Sequence, residues 1–306
     1  MQTNTPLRTI RIGTIVDATI PDPAGYIRRI LPYDFESFSL SFGMGPLNPA
    51  ARGDLSRLAD EVMRALEGSG AVISSVGVYG NPIETDDAAL EVQHTWEALI
   101  DSAHLFGTDI VGGFTGRLRG RPIDDSLPRF RDVFGPLADR ALGKGVRIAL
   151  ENCAMDGNWR SGDWNIAHGP DAWQLLFDAV PSPNMGLEWE PCHQMLNLID
   201  PIPQLREWVP RIFHLHGKDA TILWDVVREY GVNSSKPYAF HRTPGFGDTN
   251  WTDVLSELRR GGFTGAIDIE GWHDPVYRDA LEMTGQVHAL NYLKNCRGGD
   301  FVPNPK

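Results

Sequence analysis

Short apolar runs and amphipathic helical stretches alternate eight times along this chain, and that alternation does most to narrow its folding options. The strand-like runs are residues 9–16, 35–42, 71–79, 109–114, 146–151, 185–190, 212–216 and 266–270. Between and after them lie helical patterns at 25–31, 54–67, 88–106, 127–142, 171–179, 203–208, 251–260 and 277–295. Residues 54–67 carry Leu55, Leu58, Val62 and Leu66 on one stripe, the face a helix lays on a sheet. Strict alternation requires parallel strands joined by crossover helices, and eight is the number that closes. The expected architecture is an α/β fold, a (β/α)8 TIM barrel, in one domain. It takes in residues 1–306, with an ordered barrel at about 8–297. A length of 306 residues suits one such barrel. The tail after Arg297 reads as a frayed end, residues 1–6 are polar and short, and 217–248 reads as a long loop.

Strand alternation then says which side chains point inward. In 35–42, Ser37, Ser39 and Ser41 face a crowded interior, and Phe38, Leu40 and Phe42 face helices. If Glu151 points in, so do Ala149 and Arg147. The same register turns Glu188 and Glu190, His214 and His216, and Asp268 and Glu270 inward. It leaves Ile148, Leu150, Trp189, Phe213, Leu215, Ile267 and Ile269 outside. Buried charge is costly unless paired, so Arg147 is expected to neutralise Glu188 or Asp268.

Glu151, Glu190, His216 and Glu270 end four of these runs, where barrel enzymes keep their chemistry. Three carboxylates meeting at one mouth repel strongly without a cation among them. Three oxygen donors and one nitrogen suit one divalent metal ion, Mn2+ first, with Mg2+, Co2+ or Zn2+ as alternatives.

The balance of 28 Lys and Arg against 40 Asp and Glu gives a formal net charge of −12. Nucleic acid and anionic membranes select basic surfaces, so neither is an expected partner. The cysteines Cys153, Cys192 and Cys296 show no paired spacing, and Cys153 and Cys192, beside the acids, are expected to pack rather than react. With a polar N-terminus and no apolar run of membrane-spanning length, the expectation is a cytoplasmic protein.

The motifs are Ala149-Leu150-Glu151-Asn152-Cys153, Gly186-Leu187 followed by Glu190-Pro191-Cys192-His193, and His214-Leu215-His216-Gly217-Lys218-Asp219. Pro244-Gly245-Phe246-Gly247-Asp248 precedes Trp251, and Ile269-Glu270 closes the set. With these the chain resembles the xylose-isomerase-like barrel superfamily of sugar isomerases and epimerases over nearly its whole length. The resemblance implies that Glu151, His216 and Glu270 are metal ligands and that His193 lies near metal and substrate. Glu190 departs from the family's usual aspartate. It is expected either to ligate with a longer reach or to stand off the ion as an acid or base, with His193 moving in.

The implied chemistry is proton transfer beside a carbonyl of a small carbohydrate. A metal-held enediolate forms, with Glu151 and Glu270 as base and acid on opposite faces and His193 beside them. Proton return gives isomerisation or epimerisation, and loss of a β-substituent gives a lyase. C-glycoside deglycosidase catalytic subunits resemble the same superfamily and work with a small β-sandwich subunit. The expected assembly is therefore a homo-oligomer, or a hetero-oligomer of that kind. An abasic-site endonuclease, also of this superfamily, needs further ligands and a basic groove, which the acidic balance opposes. A barrel that binds without catalysing is the remaining alternative. Substrate-binding candidates are His193, Lys218, Arg242, Trp159 and Trp164. His241 is expected beside Arg242 in a loop closing over the pocket, and Arg117, Arg119 and Arg121 in a solvated loop.

Overall fold

The computed structural model describes residues 10–45, 47–298 and 305. The expected starts at residues 8 and 9, the polar segment 1–6 and the tail at 299–304 lie outside them. Elements run β1 (Arg11–Asp17), α1 (Pro23–Ile30), β2 (Ser37–Phe42), α2 (Leu55–Leu66), β3 (Val72–Val78), α3 (Asp87–Ser102), β4 (Ile110–Gly113), α4 (Ile123–Gly143), β5 (Arg147–Glu151) and α5 (Pro170–Ala179). They continue with β6 (Met185–Trp189), α6 (Pro191–Leu196), α7 (Pro201–Trp208), β7 (Ile212–Gly217), β8 (Asp219–Ile222), α8 (Trp224–Tyr230), β9 (Ala239–Arg242), α9 (Trp251–Arg260), β10 (Ala266–Ile269) and α10 (Glu282–Arg297).

Eight of these strands close a parallel barrel in the order β1-β10-β7-β6-β5-β4-β3-β2. The helices cover its outside. Ile148, Leu150, Leu187, Trp189, Leu215, Ile267 and Ile269 are buried in the core between strands and helices, on the outward register the sequence implies. Phe213 departs from that register. It leaves the main core and clusters with Ile110 and Ala149, because a pairing shift between Leu187 and Glu188 interrupts the β6–β7 ladder.

The stretch expected as one long loop after β7 is partly ordered. β8 and β9 pair antiparallel, Asp219 opposite Arg242 and Ala220 opposite His241, with α8 between them. The hairpin is fixed below by Asp219, whose carboxylate accepts from the Thr249 backbone N–H and the Trp251 indole. Among the described residues no helix is long and apolar enough to cross a membrane.

Candidate metal centre and active-site cavity

Glu151 ends β5, Glu190 follows β6 as the residue before α6, His216 lies near the end of β7, and Glu270 follows β10. All four are buried, and each offers a ligand atom within 4.8 Å of the others. His216 sits between two of the acids, its Nδ1 3.2 Å from Glu151 Oε1 and 3.6 Å from Glu270 Oε2. Asn152 holds Glu190 in place: its Nδ2 donates to the Glu190 carbonyl at 2.9 Å, and its Oδ1 accepts from the Glu190 N–H at 2.8 Å. Asn165 similarly donates to the carbonyls of Glu151 and Cys153 at 2.8 and 2.7 Å. Two asparagines therefore fix the strand ends that carry two of the acids.

Both carboxylate oxygens of Glu190 and Oε2 of Glu270 are buried without a hydrogen-bond partner. Buried polar atoms are normally paired, and each orphan costs free energy. His193 Nε2 lies 3.0 Å from Glu190 Oε1, but out of line for a hydrogen bond. Orphaned acceptors converging beside an imidazole are what a divalent ion satisfies, so the donor set fits one.

Electrostatics agree with crowding of like charge. Burial, reinforced by the neighbouring acids, lifts Glu151 and Glu190 each to about 7. Glu270 is also buried, but Lys218, His273 and His216 outweigh that and hold it well below the carboxylate range. Lys218 Nζ donates to Glu270 Oε1 at 2.8 Å and lies 3.3 Å from His193 Nε2. Burial, with the Lys218 charge close by, depresses His193 to about 3. At neutral pH its imidazole is uncharged.

Below the cluster, the interior charge is balanced differently from the sequence expectation. Arg147 does not reach Glu188 or Asp268. It pairs with Asp109 at 3.0 and 2.9 Å and stacks over Phe213, 5.0 Å from the ring centre, with its side chain 38% exposed. Arg147 is the first residue of β5, at the barrel's floor, so a neighbouring loop acid is nearer than any interior one. The balancing cation is His214. Its Nδ1 lies 2.8 Å from Glu188 Oε1 and its Nε2 2.6 Å from Asp268 Oδ2. A ring with a carboxylate on each nitrogen donates from both, so it is an imidazolium. Burial works against that charge, but the two bonds outweigh burial and raise its pKa.

Asp268 also accepts from Ser37 and Ser74 at 2.6 and 2.5 Å, and Glu188 from Tyr79 at 3.0 Å. Glu188 Oε1 lies 3.2 Å from His216 Nε2, which leaves Nδ1 of that ring facing the acids above. Two glycines make room for the network. A Cβ at Gly112 would stand 2.7 Å from Glu188 Oε1, and one at Gly13 would stand 2.2 Å from Asp268 Oδ1.

Three of the four cluster residues, Glu151, His216 and Glu270, line the inner end of a cavity of about 750 Å3 with His193 and Lys218, and Glu190 is not among the lining residues. His241 joins them from β9, and burial, with Lys218 close by, depresses it to about 3. Three other candidates lie elsewhere. Arg242 turns away to Asp274 at 3.0 Å. Trp159 donates its indole N–H to Asp124 at 3.1 Å, and neither it nor Trp164 is among the lining residues. Arg117 is buried rather than solvated. It donates to the carbonyls of Arg121, Asn158 and Trp159 and so ties down the loop that carries Trp159.

Tyr79 and His273 line the cavity and were not singled out by sequence reasoning. His273 carried a signal: it follows Glu270 by three residues, as His193 follows Glu190, and its Nε2 lies 2.9 Å from Glu270 Oε1. Cys153 and Cys192 are buried, and burial pushes both thiols well above the usual range, consistent with packing.

The xylose isomerase-like TIM barrel family profile matches residues 27–296. The chain belongs to that family. An inosose dehydratase of Serratia proteamaculans is 28% identical over 183 residues, covering 57% of this chain and 57% of that protein. An uncharacterised Bacillus subtilis protein, YfiH, is 26% identical over 214 residues, 60% of this chain and 65% of that protein. The matches thus span less than two thirds of either curated relative. The 3-keto-D-glucoside 4-epimerase of E. coli superposes with a TM-score of 0.69 at 15% identity, covering 94% of this chain and 100% of that one. That likeness is one of fold.

Proposed function

We propose that this protein is a divalent-metal-dependent isomerase or epimerase that moves a proton next to a carbonyl of a sugar, keto-sugar or polyol. The observation that carries the proposal is the convergence of Glu151, Glu190, His216 and Glu270, with orphaned carboxylate oxygens, where Glu151, His216 and Glu270 line the inner end of a cavity and Glu190 is buried among them. These four residues would hold a divalent ion, which would supply positive charge beside the substrate's carbonyl and hydroxyl oxygens.

The chain's own groups divide the remaining work. Glu151 and Glu270 come from strands separated by β6 and β7, so they approach a bound carbon from different sides. Glu151, lifted to about 7, is poised at neutral pH to take a proton or to give one up. Glu270, held ionised by Lys218 and His273, can accept a proton but is the weaker base of the two. Lys218 also offers N–H donors to substrate oxygens. Neutral His193 can donate or accept at a hydroxyl, and burial of the whole group excludes water from a carbanion-like species.

A lyase is the second reading. The inosose dehydratase likeness favours it, as does Glu151: a carboxyl near pKa 7 that lines the cavity is suited to protonating a leaving hydroxyl or aglycone.

The test is deuterium uptake from D2O into ketoses, 3-keto sugars and inososes with the Mn2+-loaded protein, followed by NMR. Uptake without loss of a substituent supports isomerase or epimerase chemistry, and uptake with elimination supports the lyase. No uptake into any of them, with metal bound, removes the proposal.

A further inference from the structure

The cavity has two unlike ends. Its inner end holds the acids, imidazoles and lysine already described. Its outer end carries Met155, Leu196, Leu198, Val232, Tyr238 and Trp272, interspersed with the polar Asp156, Asn197 and Asn233. These come from separate parts of the chain: the loop after β5, the end of α6 and the turn beyond it, the segment between α8 and β9, and the loop after β10. Four of them are large apolar side chains left open to solvent, Met155 at 40%, Leu198 at 39%, Val232 at 41% and Trp272 at 42%. Single exposed apolar residues are ordinary, but several meeting around one concave space mark a binding surface.

The backbone bears this out. Met155, Asp156 and Leu198 take left-handed conformations, with φ of 47°, 60° and 59°. L side chains avoid that region, and such residues gather where a structure must aim particular groups at a ligand. Here all three residues line the same cavity. Tyr238 is fixed beside them by donating its hydroxyl to the Leu196 carbonyl at 2.6 Å. A cavity of about 750 Å3 also sits well inside the ~300–1,000 Å3 range of sites that hold drug-sized ligands, and exceeds the needs of one sugar ring.

We infer that the outer end is a subsite for an apolar, ring-bearing aglycone, and that the substrate is a glycoside whose sugar sits at the acid cluster. The inference rests on the proposed sugar chemistry for the orientation of the ligand. The subsite itself rests on the outer lining alone.

The experiment compares methyl and phenyl 3-keto-β-D-glucosides with the Mn2+-loaded full chain, by calorimetric binding and by deuterium exchange. The phenyl compound is expected to bind about tenfold more tightly or better. Leu198→Ser and Trp272→Ala, each checked for folding by circular dichroism, should bring the two affinities together. Equal affinities in the wild-type protein, with exchange into both, overturn the subsite and leave the proton-transfer reading standing. Preferential binding of the phenyl compound without exchange supports the subsite and counts against that reading. Binding of neither compound overturns both. Sedimentation showing a dimer that Leu198→Ser and Trp272→Ala dissociate would assign the apolar rim to a second copy, and also overturns the subsite.

Discussion

Replacing His214 with leucine takes the imidazolium from between two carboxylates at the barrel centre. Glu188 loses a partner at 2.8 Å and Asp268 one at 2.6 Å. Breaking a buried ion pair by deleting one member costs about 3–5 kcal/mol. Glu188 keeps Tyr79, and Asp268 keeps Ser37 and Ser74, which argues for the lower end. An unfolding entropy of about 2.1 cal/mol/K per residue over 306 residues turns ~3 kcal/mol into a fall in Tm of about 5 °C. Arg147→Met is the matched control. Its pair with Asp109 is more than a third exposed on both sides, and such pairs contribute about 0–1 kcal/mol, or under about 2 °C here. The assay is calorimetric melting of both variants at pH 7 in the metal-free state. The reasoning fails if Arg147→Met lowers Tm more than His214→Leu does, or if His214→Leu melts within about 1 °C of the wild type.

Other expectations follow from the same geometry. Asn152→Ala frees the Glu190 backbone and should weaken Mn2+ binding by about 10–100-fold, measured by calorimetry, and, because two buried backbone groups lose their partner at about 1–3 kcal/mol each, should also lower the Tm of the metal-free protein by several degrees. Glu190→Asp separates two roles: activity kept marks Glu190 as a ligand of extended reach, and activity lost with metal retained marks it as an acid or base. Glu36 is lowered from its ordinary pKa of 4.5, because its bonds to Arg297 and the Ile12 N–H outweigh burial. A lowered folded pKa gives stability that is present above the unfolded value and lost as pH falls through the folded one. Glu36→Gln should therefore be less stable than wild type near neutrality, and the gap should close as pH drops below the ordinary value, read by denaturant melts across pH.

Much of the site was legible because a strand has a period of two. Fixing Glu190, His216 and Glu270 as inward fixed Glu188, His214 and Asp268 as well, and apolar partners such as Leu150 and Ile269 confirmed the alternation. Pairing among those inward groups was not legible, since it depends on depth along the barrel. Arg147 stands at a strand's start and meets a loop acid, whereas His214 stands midway between two strands' acids. Phe213 was misassigned because a register shift in β6 and β7 breaks the period locally. The loop residues were least legible. Trp159 and Arg242 are positioned by partners distant in sequence, Asp124 and Asp274. The β8–β9 hairpin is too short to carry a strand pattern of its own, yet it brings His241 to the cavity.

The central claim is that Glu151, Glu190, His216 and Glu270 form one site for one divalent ion. Titrating Mn2+ into the metal-free protein by calorimetry tests it most directly. The expected result is a single site, with a rise in stability of about 2.7 kcal/mol at a hundredfold excess of free ion over Kd, and loss of binding in His216→Ala. No binding, or binding unchanged in His216→Ala, would contradict it.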